Sequence, residues 1–109
     1  MHNLTMPKGR IEELSQLVHS IPRGRVTSYG QIGRALTHPV SGLTAGRWMD
    51  QCIDAPWWRV IGVSGDLLIG KKDPQLALEQ RKRLEAEGLV FDGNGRVPQN
   101  YFFDVEPLH

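Results

Sequence analysis

The stretch that decides the fold is Ser28-Tyr29-Gly30-Gln31-Ile32-Gly33-Arg34-Ala35-Leu36-Thr37-His38-Pro39-Val40-Ser41-Gly42-Leu43-Thr44-Ala45-Gly46-Arg47-Trp48-Met49. Ser28, with Gln31 three residues later, matches a capping box, in which a side-chain hydroxyl accepts from one of the first free amides of a helix. The apolar residues that follow at helical spacing support a helix that starts near Tyr29 and ends before Pro39.

A second helix is predicted directly after the first. Ser41 or Thr44 can cap it, and it would continue through residues 45–52. Pro39 and Gly42 lie in the short connection between the two helices. Two short helices joined in this way predict a helix-turn-helix.

Further elements are predicted on both sides of this pair. Apolar residues recur at helical spacing over residues 11–19, after the helix breakers Pro7 and Gly9, which predicts a first helix. Residues 57–63 are β-prone, and a Ser-Gly-Asp turn separates them from the apolar residues 67–69, so we expect a small hairpin.

The last helix is predicted from Asp73-Pro74 to Glu87, with Gly88 as its C-terminal stop. The tail over residues 89–109 is expected to be mostly loop with one weak strand. No internal repeat is visible.

The composition is that of a globular protein. With 109 residues, of which 39% are hydrophobic and 23% charged, the chain can build one core, so we expect a single domain over residues 1–109 and a monomer. No apolar run approaches the roughly 20 residues of a membrane span, and the N-terminus lacks the apolar segment of a secretory signal. We therefore expect a soluble, cytoplasmic protein, associated with the nucleoid in a bacterium or nuclear in a eukaryote.

The net charge of +1 conceals an uneven distribution. Residues 8–83 carry twelve Lys or Arg against seven Asp or Glu, whereas residues 84–109 carry one Arg against five acids. A basic face with an acidic tail would suit a nucleic-acid partner, although ordinary solvated charge explains the counts more simply.

Cys52 is the one cysteine of the chain, which excludes an internal disulfide. The histidines show no metal-ligand spacing with it, so no metal and no other cofactor is expected. Cys52 is the obvious candidate nucleophile, but no histidine is near it in sequence, and its spacing from Trp48 and Met49 fits a buried helical position. We therefore interpret it as a packed thiol and assign no catalytic residue.

Two adjacent tryptophans follow Pro56. Trp57 and Trp58 cannot both point into one core, so at least one is expected to be exposed or to line a cavity. A surface on which a ligand stacks and a structural pair, with one ring covering the other, are both open interpretations.

Three motifs, in this order, resemble a known family. They are Ile21-Pro22-Arg23-Gly24-Arg25-Val26-Thr27-Ser28-Tyr29-Gly30-Gln31-Ile32, then Pro56-Trp57-Trp58-Arg59-Val60-Ile61 with Ser64-Gly65, and then Gln80-Arg81-Lys82-Arg83-Leu84-Glu85-Ala86-Glu87-Gly88. The combination resembles the C-terminal DNA-binding domain of O6-alkylguanine-DNA alkyltransferases, and more closely the alkyltransferase-like proteins, in which Trp replaces the acceptor Cys. The resemblance implies an α/β, winged-helix-like domain with a helix-turn-helix and a small hairpin that carries the pocket loop.

The resemblance also implies that the transfer chemistry is absent. Trp57 stands at the alkyl-acceptor position, and an indole has no ionisable nucleophile. Trp58 stands where the enzymes have the His that serves as base. Glu87 matches the acidic third member of their relay, with nothing left to orient. The chain is expected to be a catalytically inactive homologue that keeps the pocket, with Arg59 as a brace of the pocket loop.

In the family the second helix of the helix-turn-helix binds the minor groove, and the damaged nucleotide is flipped into the pocket. The lesion pocket predicted by this resemblance consists of Tyr29, Pro56, Trp57, Trp58, Val60 and Lys72. The predicted DNA-binding residues are Arg25, Ser28, Arg34, Leu43, Thr44, Ala45, Gly46 and Arg47. Tyr29 matches the tyrosine that rotates the phosphate of the flipped nucleotide, and the small Ala45 and Gly46 allow close approach to DNA.

One residue of the recognition helix is expected to fill the gap left by the flipped base. We assign this role to Arg47. An ungapped count from Tyr29 instead places Leu43, one helical turn earlier on the same face, at the position of the family's intercalating arginine, where it would act as an apolar wedge.

The resulting hypothesis is non-enzymatic recognition of O6-alkylguanine in duplex DNA, with the bound complex flagging the lesion for nucleotide excision repair proteins. Two alternatives stay open. One is an active alkyltransferase that uses Cys52, and the other is a helix-turn-helix transcription regulator that reads an unmodified sequence.

Overall fold

The computed structural model describes the backbone of residues 2–52 and 54–108 and the side chains from residue 9 onwards within those ranges. The regular elements are, in chain order, α1 (His2–His19), β1 (Thr27–Ser28), α2 (Tyr29–Arg34), α3 (Gly42–Trp48), β2 (Val60–Ile61) and α4 (Pro74–Ala86). Single 3-10 turns are formed by Met49–Gln51, Trp57–Arg59, Leu68–Lys71 and Gln99–Tyr101. Among the described residues, no helix combines the length and the hydropathy of a membrane span.

The helix-turn-helix is confirmed as α2 and α3. The Ser28 hydroxyl accepts from the amide of Gln31 at 3.1 Å, as the capping pattern predicts. Of the two candidate caps of α3, the structure uses Ser41, whose hydroxyl accepts from the amide of Thr44 at 3.2 Å. The two helices approach most closely at a glycine. A Cβ at Gly42 would lie 2.9 Å from the backbone nitrogen of Gly30, which is too close for a larger residue.

Helix α1 begins earlier than the sequence predicts. Pro7 and Gly9 lie within it and do not end it, since the helix runs unbroken from residue 2. Pro7 is the sixth residue of the helix, where the missing amide removes one intrahelical hydrogen bond while the fixed φ of proline remains compatible with a helix. The apolar face at residues 11–19 is as predicted, with Leu14, Leu17 and Val18 fully buried.

The predicted hairpin is wrong. Strand β2 pairs in parallel with β1, with Thr27 opposite Val60 and Ser28 opposite Ile61. Both strands are completely or almost completely buried, which is usual for parallel strands. The segment that was expected to return as a strand forms the 3-10 turn Leu68–Lys71 instead.

Strand β2 divides the interior into two hydrophobic cores. Val60 packs into the first core with residues of α1, α2 and α3, while Ile61 packs into the second. The second core is completed by Val26, Leu84, Leu89 and Val97. This alternation is what a period of two residues along a strand produces. Residues 57–59, which directly precede β2, therefore lie at the boundary between the two cores.

Helix α4 and the tail have the structure that the sequence predicts. The Asp73 carboxylate caps α4 through the amides of Gln75 and Leu76, and Gly88 adopts a φ of +100° just after its end. The weak strand expected in the tail corresponds to a single parallel bridge between Val26 and Phe102.

Candidate functional site

A cleft of about 1100 Å³ lies between the helix-turn-helix and the segment that leads into α4. The helix-turn-helix side contributes Ser28, Tyr29, Gly30, Arg34, Gly42, Leu43, Gly46, Arg47, Met49, Asp50 and Cys52. The opposite side contributes Gly62, Val63, Leu68, Ile69, Lys72, Leu76 and Glu79, and Trp57 lies in the wall as well.

Tyr29 begins α2 and lines the cleft. Gly46 on α3 lies beside its ring, and a Cβ at Gly46 would make an ordinary contact at 3.6 Å with a ring carbon of Tyr29. Burial of Tyr29, followed by the negative charge of Asp50, raises the pKa of its phenol above the usual 10.0. The hydroxyl therefore stays neutral and can donate a hydrogen bond to an acceptor such as a phosphate oxygen.

The side chains of Trp57 and Trp58 pack in different parts of the molecule, as expected for adjacent tryptophans that cannot both enter one core. Trp57 is half-buried, packs against the first core and lines the cleft. Trp58 packs against the second core. The ring planes stand 85° apart with centroids 6.0 Å from each other. Of the pair, only Trp57 is available in the cleft, and the prediction that Trp58 also lines the pocket is wrong.

Glu87 has partners, contrary to the expectation that it has nothing left to orient. Its carboxylate accepts from the indole Nε1 of Trp58 at 2.7 Å and from the backbone amide of Gly24 at 2.8 Å. It also accepts from Nη2 of Arg59 at 2.8 Å, and Arg59 donates through Nη1 to the carbonyl of Ile21 at 2.9 Å. The predicted bracing role of Arg59 fits these contacts, because they fix residues 57–59 to the end of α4.

These contacts stabilise the ionised form of the Glu87 carboxylate. Burial of the carboxylate would raise its pKa, but hydrogen bonds from Arg59, Gly24 and Trp58, together with the positive charge of Arg59, outweigh burial and hold the pKa below its usual range. Only 3% of the Glu87 side chain and 14% of the Arg59 side chain are exposed. Glu87 therefore stays ionised at neutral pH in a nearly dry environment.

Two further residues that were predicted to line the pocket are buried beneath it. Val60 is fully buried in the first core and Pro56 is also buried, and neither lines the cleft. Gln80 of α4, which sequence reasoning missed, donates through Nε2 to the carbonyls of Trp58 and Val60 at 3.1 and 3.2 Å. Its polar type at a helix position facing the core was the available signal. Lys72 lines the cleft and is exposed.

The predicted DNA-binding residues fall into two groups. Those at the cleft are Ser28, Arg34, Leu43, Gly46 and Arg47. Leu43 is 68% exposed and Arg47 is exposed one turn later. Ala45 is fully buried, so its methyl group faces the first core, and Thr44 is half-buried beside the cap of α3. Arg25 is exposed outside the cleft.

Cys52 lies at the base of the cleft with 4% exposure. Burial raises the pKa of its thiol above the usual 9.0, and the thiolate is the nucleophilic form. The Sγ atom lies 3.9 Å from the carbonyl of Trp48. The interpretation as a packed thiol fits this position. Among the described residues, no group of three or more His, Cys, Asp or Glu side chains could hold a metal ion.

The cleft wall opposite the helix-turn-helix was also missed. This wall is formed by Val63, Leu68, Ile69 and Leu76, whereas the sequence predicts a hairpin strand at residues 67–69. The run of apolar residues was visible, but its side chains could be assigned to the cleft only once the 3-10 turn was known.

Comparison with known proteins gives a consistent set of relatives. Residues 11–89 match the family described as 6-O-methylguanine DNA methyltransferase, DNA binding domain. A DNA base-flipping protein of Vibrio parahaemolyticus is 27% identical over 88 residues, which cover 78% of this chain and 85% of that protein. A DNA base-flipping protein of Escherichia coli is 31% identical over 85 residues, which cover 75% of this chain but only 64% of that longer protein.

Solved structures show the same architecture. The crystal structure of S. pombe Atl1 in complex with damaged DNA containing O6-carboxymethylguanine matches with a TM-score of 0.74 at 27% identity, covering 88% of this chain and 95% of that one. A structure of S. pombe ATL in complex with DNA matches with a TM-score of 0.69 at 25% identity over the same shares of the two chains.

Proposed function

Because the chain belongs to the family of the 6-O-methylguanine DNA methyltransferase DNA-binding domain, we propose that it binds duplex DNA and holds an O6-alkylated guanine, turned out of the double helix, in the cleft. The observation that carries this proposal is Trp57, a half-buried indole in the cleft wall that also contains Tyr29. Relatives described as DNA base-flipping proteins support the reaction type, and the Atl1 complex with alkylated DNA supports the ligand class.

Recognition proceeds through residues of the helix-turn-helix. Helix α3 enters the minor groove, and its exposed Leu43 or Arg47 occupies the space that the flipped base leaves. The neutral hydroxyl of Tyr29 donates to the phosphate of the flipped nucleotide. Turning the base out costs a few kcal/mol, and stacking on an aromatic side chain such as Trp57 returns about 1–3 kcal/mol. Phosphate contacts by cations such as Arg34 supply the remaining affinity.

The protein is proposed to bind the lesion without repairing it. Trp57 occupies the acceptor position of the transferases and Trp58 the position of their base, so neither a thiolate nor an imidazole faces the cleft at these positions. Cys52 is a poor substitute because its burial raises the pKa of the thiol. After incubation with a methylated duplex, mass spectrometry of the protein should show no added methyl group. A methyl group on Cys52 would establish the alkyltransferase alternative.

The bound complex is proposed to flag the lesion for nucleotide excision repair. The support is the resemblance to alkyltransferase-like proteins together with the absence of an acceptor at residue 57. In cells, loss of this protein should increase sensitivity to an alkylating agent only while excision repair is intact. Equal sensitisation in a strain without excision repair would contradict this partner assignment.

One titration tests the central proposal. The affinity of the protein for a duplex with a single O6-methylguanine is compared with its affinity for the same duplex with guanine, and the Trp57→Ala variant is compared in the same way. The wild type should prefer the methylated duplex, and Trp57→Ala should lose most of this preference while it keeps most of its affinity for plain duplex. Trp48→Ala, which removes an indole outside the cleft, is the control and should keep the preference. Equal affinity for the two duplexes would instead favour the alternative function, a transcription regulator that reads an unmodified sequence.

A further inference from the structure

Two charged side chains of α1 hold the connection between α2 and α3. The carboxylate of Glu13 accepts through Oε2 from the backbone amide of Thr37 at 2.9 Å and from the Thr37 hydroxyl at 2.8 Å. Arg10, one helical turn earlier, donates through Nη2 to the carbonyl of His38 at 2.9 Å. All four residues lie outside the cleft. Arg10 and Glu13, which we call the bracket, thus bind the middle of the connection.

The bracket also reaches the far end of α3. The guanidinium of Arg10 lies over the ring of Trp48, 4.9 Å from its centroid, a distance at which a cation and an aromatic face attract each other. Trp48 is the last residue of α3. Helix α1 is therefore joined to the connection that precedes α3 and to the residue that ends it.

Helix α3 has few other attachments to the rest of the domain. The elements that pack closely on it are α2 and the 3-10 turn Met49–Gln51. Of residues 42–48, all of which the structure describes, Ala45 is the one that is buried. An element with so little buried surface resists local movement weakly, so the orientation of α3 depends on the contacts at its ends.

The connection moves together with α2. The amide of Val40 donates to the carbonyl of Gly33 at 3.1 Å, and a Cβ at Gly33 would collide with the carbonyl oxygen of Val40. The start of α3 is held against α2 in the same way, through the close approach of Gly42 to Gly30. By holding the connection, the bracket orients the whole helix-turn-helix relative to α1.

We propose that Glu13 and Arg10 are positioning residues, which hold the helix-turn-helix of the free protein in the orientation that α3 needs to enter the minor groove. This inference rests on the proposed function, because it takes α3 as the helix that enters DNA. When the binding-competent conformation is only partly populated, the apparent affinity falls by the populated fraction. Loss of the bracket should therefore weaken binding to every duplex by one common factor.

Glu13→Ala tests the bracket with an effect of opposite sign to that of charge. The change removes a negative charge, which by itself strengthens attraction to DNA phosphates, whereas loss of the bracket weakens binding. We expect the affinity to fall at least about threefold for guanine and O6-methylguanine duplexes alike, with their ratio unchanged. The loss should lie in the association rate, because the conformational change precedes binding.

The measurement uses the whole chain, fluorescence anisotropy and stopped-flow mixing at one salt concentration. Circular dichroism sets a temperature at which each variant is fully folded, so that a loss of global stability alone leaves the affinity unchanged. Glu12→Ala is the matched control, because it removes an exposed carboxylate from the neighbouring residue and should not weaken binding. Glu13→Gln keeps an acceptor oxygen for Thr37 and should lose less than about twofold.

Arg10→Lys tests the other half of the bracket. Lysine keeps the positive charge but lacks the planar guanidinium that stacks on Trp48 and forks to the carbonyl of His38. Its association rate should fall at least about twofold for both duplexes. This variant decides the matter if Glu13→Ala does not fold, and an association rate equal to that of the wild type would then overturn the inference.

The outcomes separate the inference from the proposed function. If the wild type does not prefer the methylated duplex, the proposed function itself fails. If the wild type shows this preference and folded Glu13→Ala binds as tightly as Glu12→Ala, the function stands and the inference is overturned. The inference is likewise overturned if Glu13→Ala changes the ratio of the two affinities, or if Glu13→Gln loses as much affinity as Glu13→Ala.

Discussion

Leu43 and Arg47 share the exposed face of α3, one turn apart, and both line the cleft. Their chemistry differs, since a guanidinium can stack in the vacated space and also donate hydrogen bonds to neighbouring bases, whereas leucine can only wedge the stack open. Both side chains are exposed on the helix that we propose to enter the minor groove, and the role is assigned to Arg47.

We expect Arg47→Ala to abolish base flipping and Leu43→Ala to weaken binding by less than about tenfold, because a guanidinium compensates for more of the lost stacking. A fluorescent base analogue placed opposite the lesion reports the flipping directly. If Leu43→Ala abolishes the signal and Arg47→Ala leaves it intact, the ungapped register is correct and the wedge is apolar.

Glu87 offers a test of stability. Glu87→Gln should lower the free energy of unfolding at pH 7 by about 3 kcal/mol, because it removes the charge partner of the nearly buried Arg59. The folded-state pKa of Glu87 is lowered, so the stabilisation by its charge is present above the unfolded-state value of about 4.3. It is lost as the pH falls through the folded-state pKa. Urea denaturation from pH 7 to pH 3 should therefore show wild type and variant converging at low pH.

The exposed pair between Asp66 and Arg96 is the control for this measurement. Its two side chains are 43% and 49% exposed, and such surface pairs contribute about 1 kcal/mol at most. Asp66→Asn should thus have a small effect at every pH. A difference between wild type and Glu87→Gln that stays constant down to pH 3 would contradict a role of the Glu87 charge.

At the scale of single residues, the sequence predicts that at least one of the two tryptophans is exposed or lines a cavity, and the resemblance placed both in the pocket, whereas the structure places only Trp57 there. The decisive contact is the hydrogen bond from Trp58 to Glu87, which joins residues far apart in the chain. Local spacing carries no information about such a pair. The indole Nε1 donates to this carboxylate and draws Trp58 away from the cleft.

At the scale of elements, helices were predicted better than strands. Ser28, Ser41 and Asp73 each cap a helix through a contact within a few residues, so the signal is local and readable. The parallel pairing of β1 and β2 joins residues 27–28 to residues 60–61. A short apolar run with a turn after it fits a hairpin equally well, and only tertiary packing selects the partner.

The crossing of α2 and α3 leads to a prediction on elements. Gly42→Ala should destabilise the protein by about 1–3 kcal/mol, because its Cβ would lie 2.9 Å from the backbone nitrogen of Gly30 and the helices would have to separate. Gly46→Ala on the same helix is the control, since its Cβ would make ordinary contacts at 3.6 Å with the ring of Tyr29. Thermal unfolding of both variants distinguishes them. Equal loss of stability would mean that helix separation is not the cause.

At the scale of the whole molecule, charge determines how binding responds to salt. Twelve of the thirteen Lys and Arg residues precede residue 84, whereas five of the twelve Asp and Glu residues follow it. Each neutralised phosphate should contribute about −0.9 to the slope of log affinity against log salt concentration. We expect a steep slope for plain and alkylated duplexes alike, with Arg34→Ala reducing it by about one unit. A slope near zero would contradict binding along the DNA backbone.

The pairing of Thr27 with Val60 has a consequence for how this fold can change over evolutionary time. It ties together the two ends of the chain segment that contains α2, α3 and Trp57. Changes at the exposed positions of that segment alter the reading surface, while its buried positions keep their contacts with α1 and with residues 58–60. A lineage could therefore acquire a new lesion preference by exchanging exposed residues of this one closed segment, with no need to rebuild the cores.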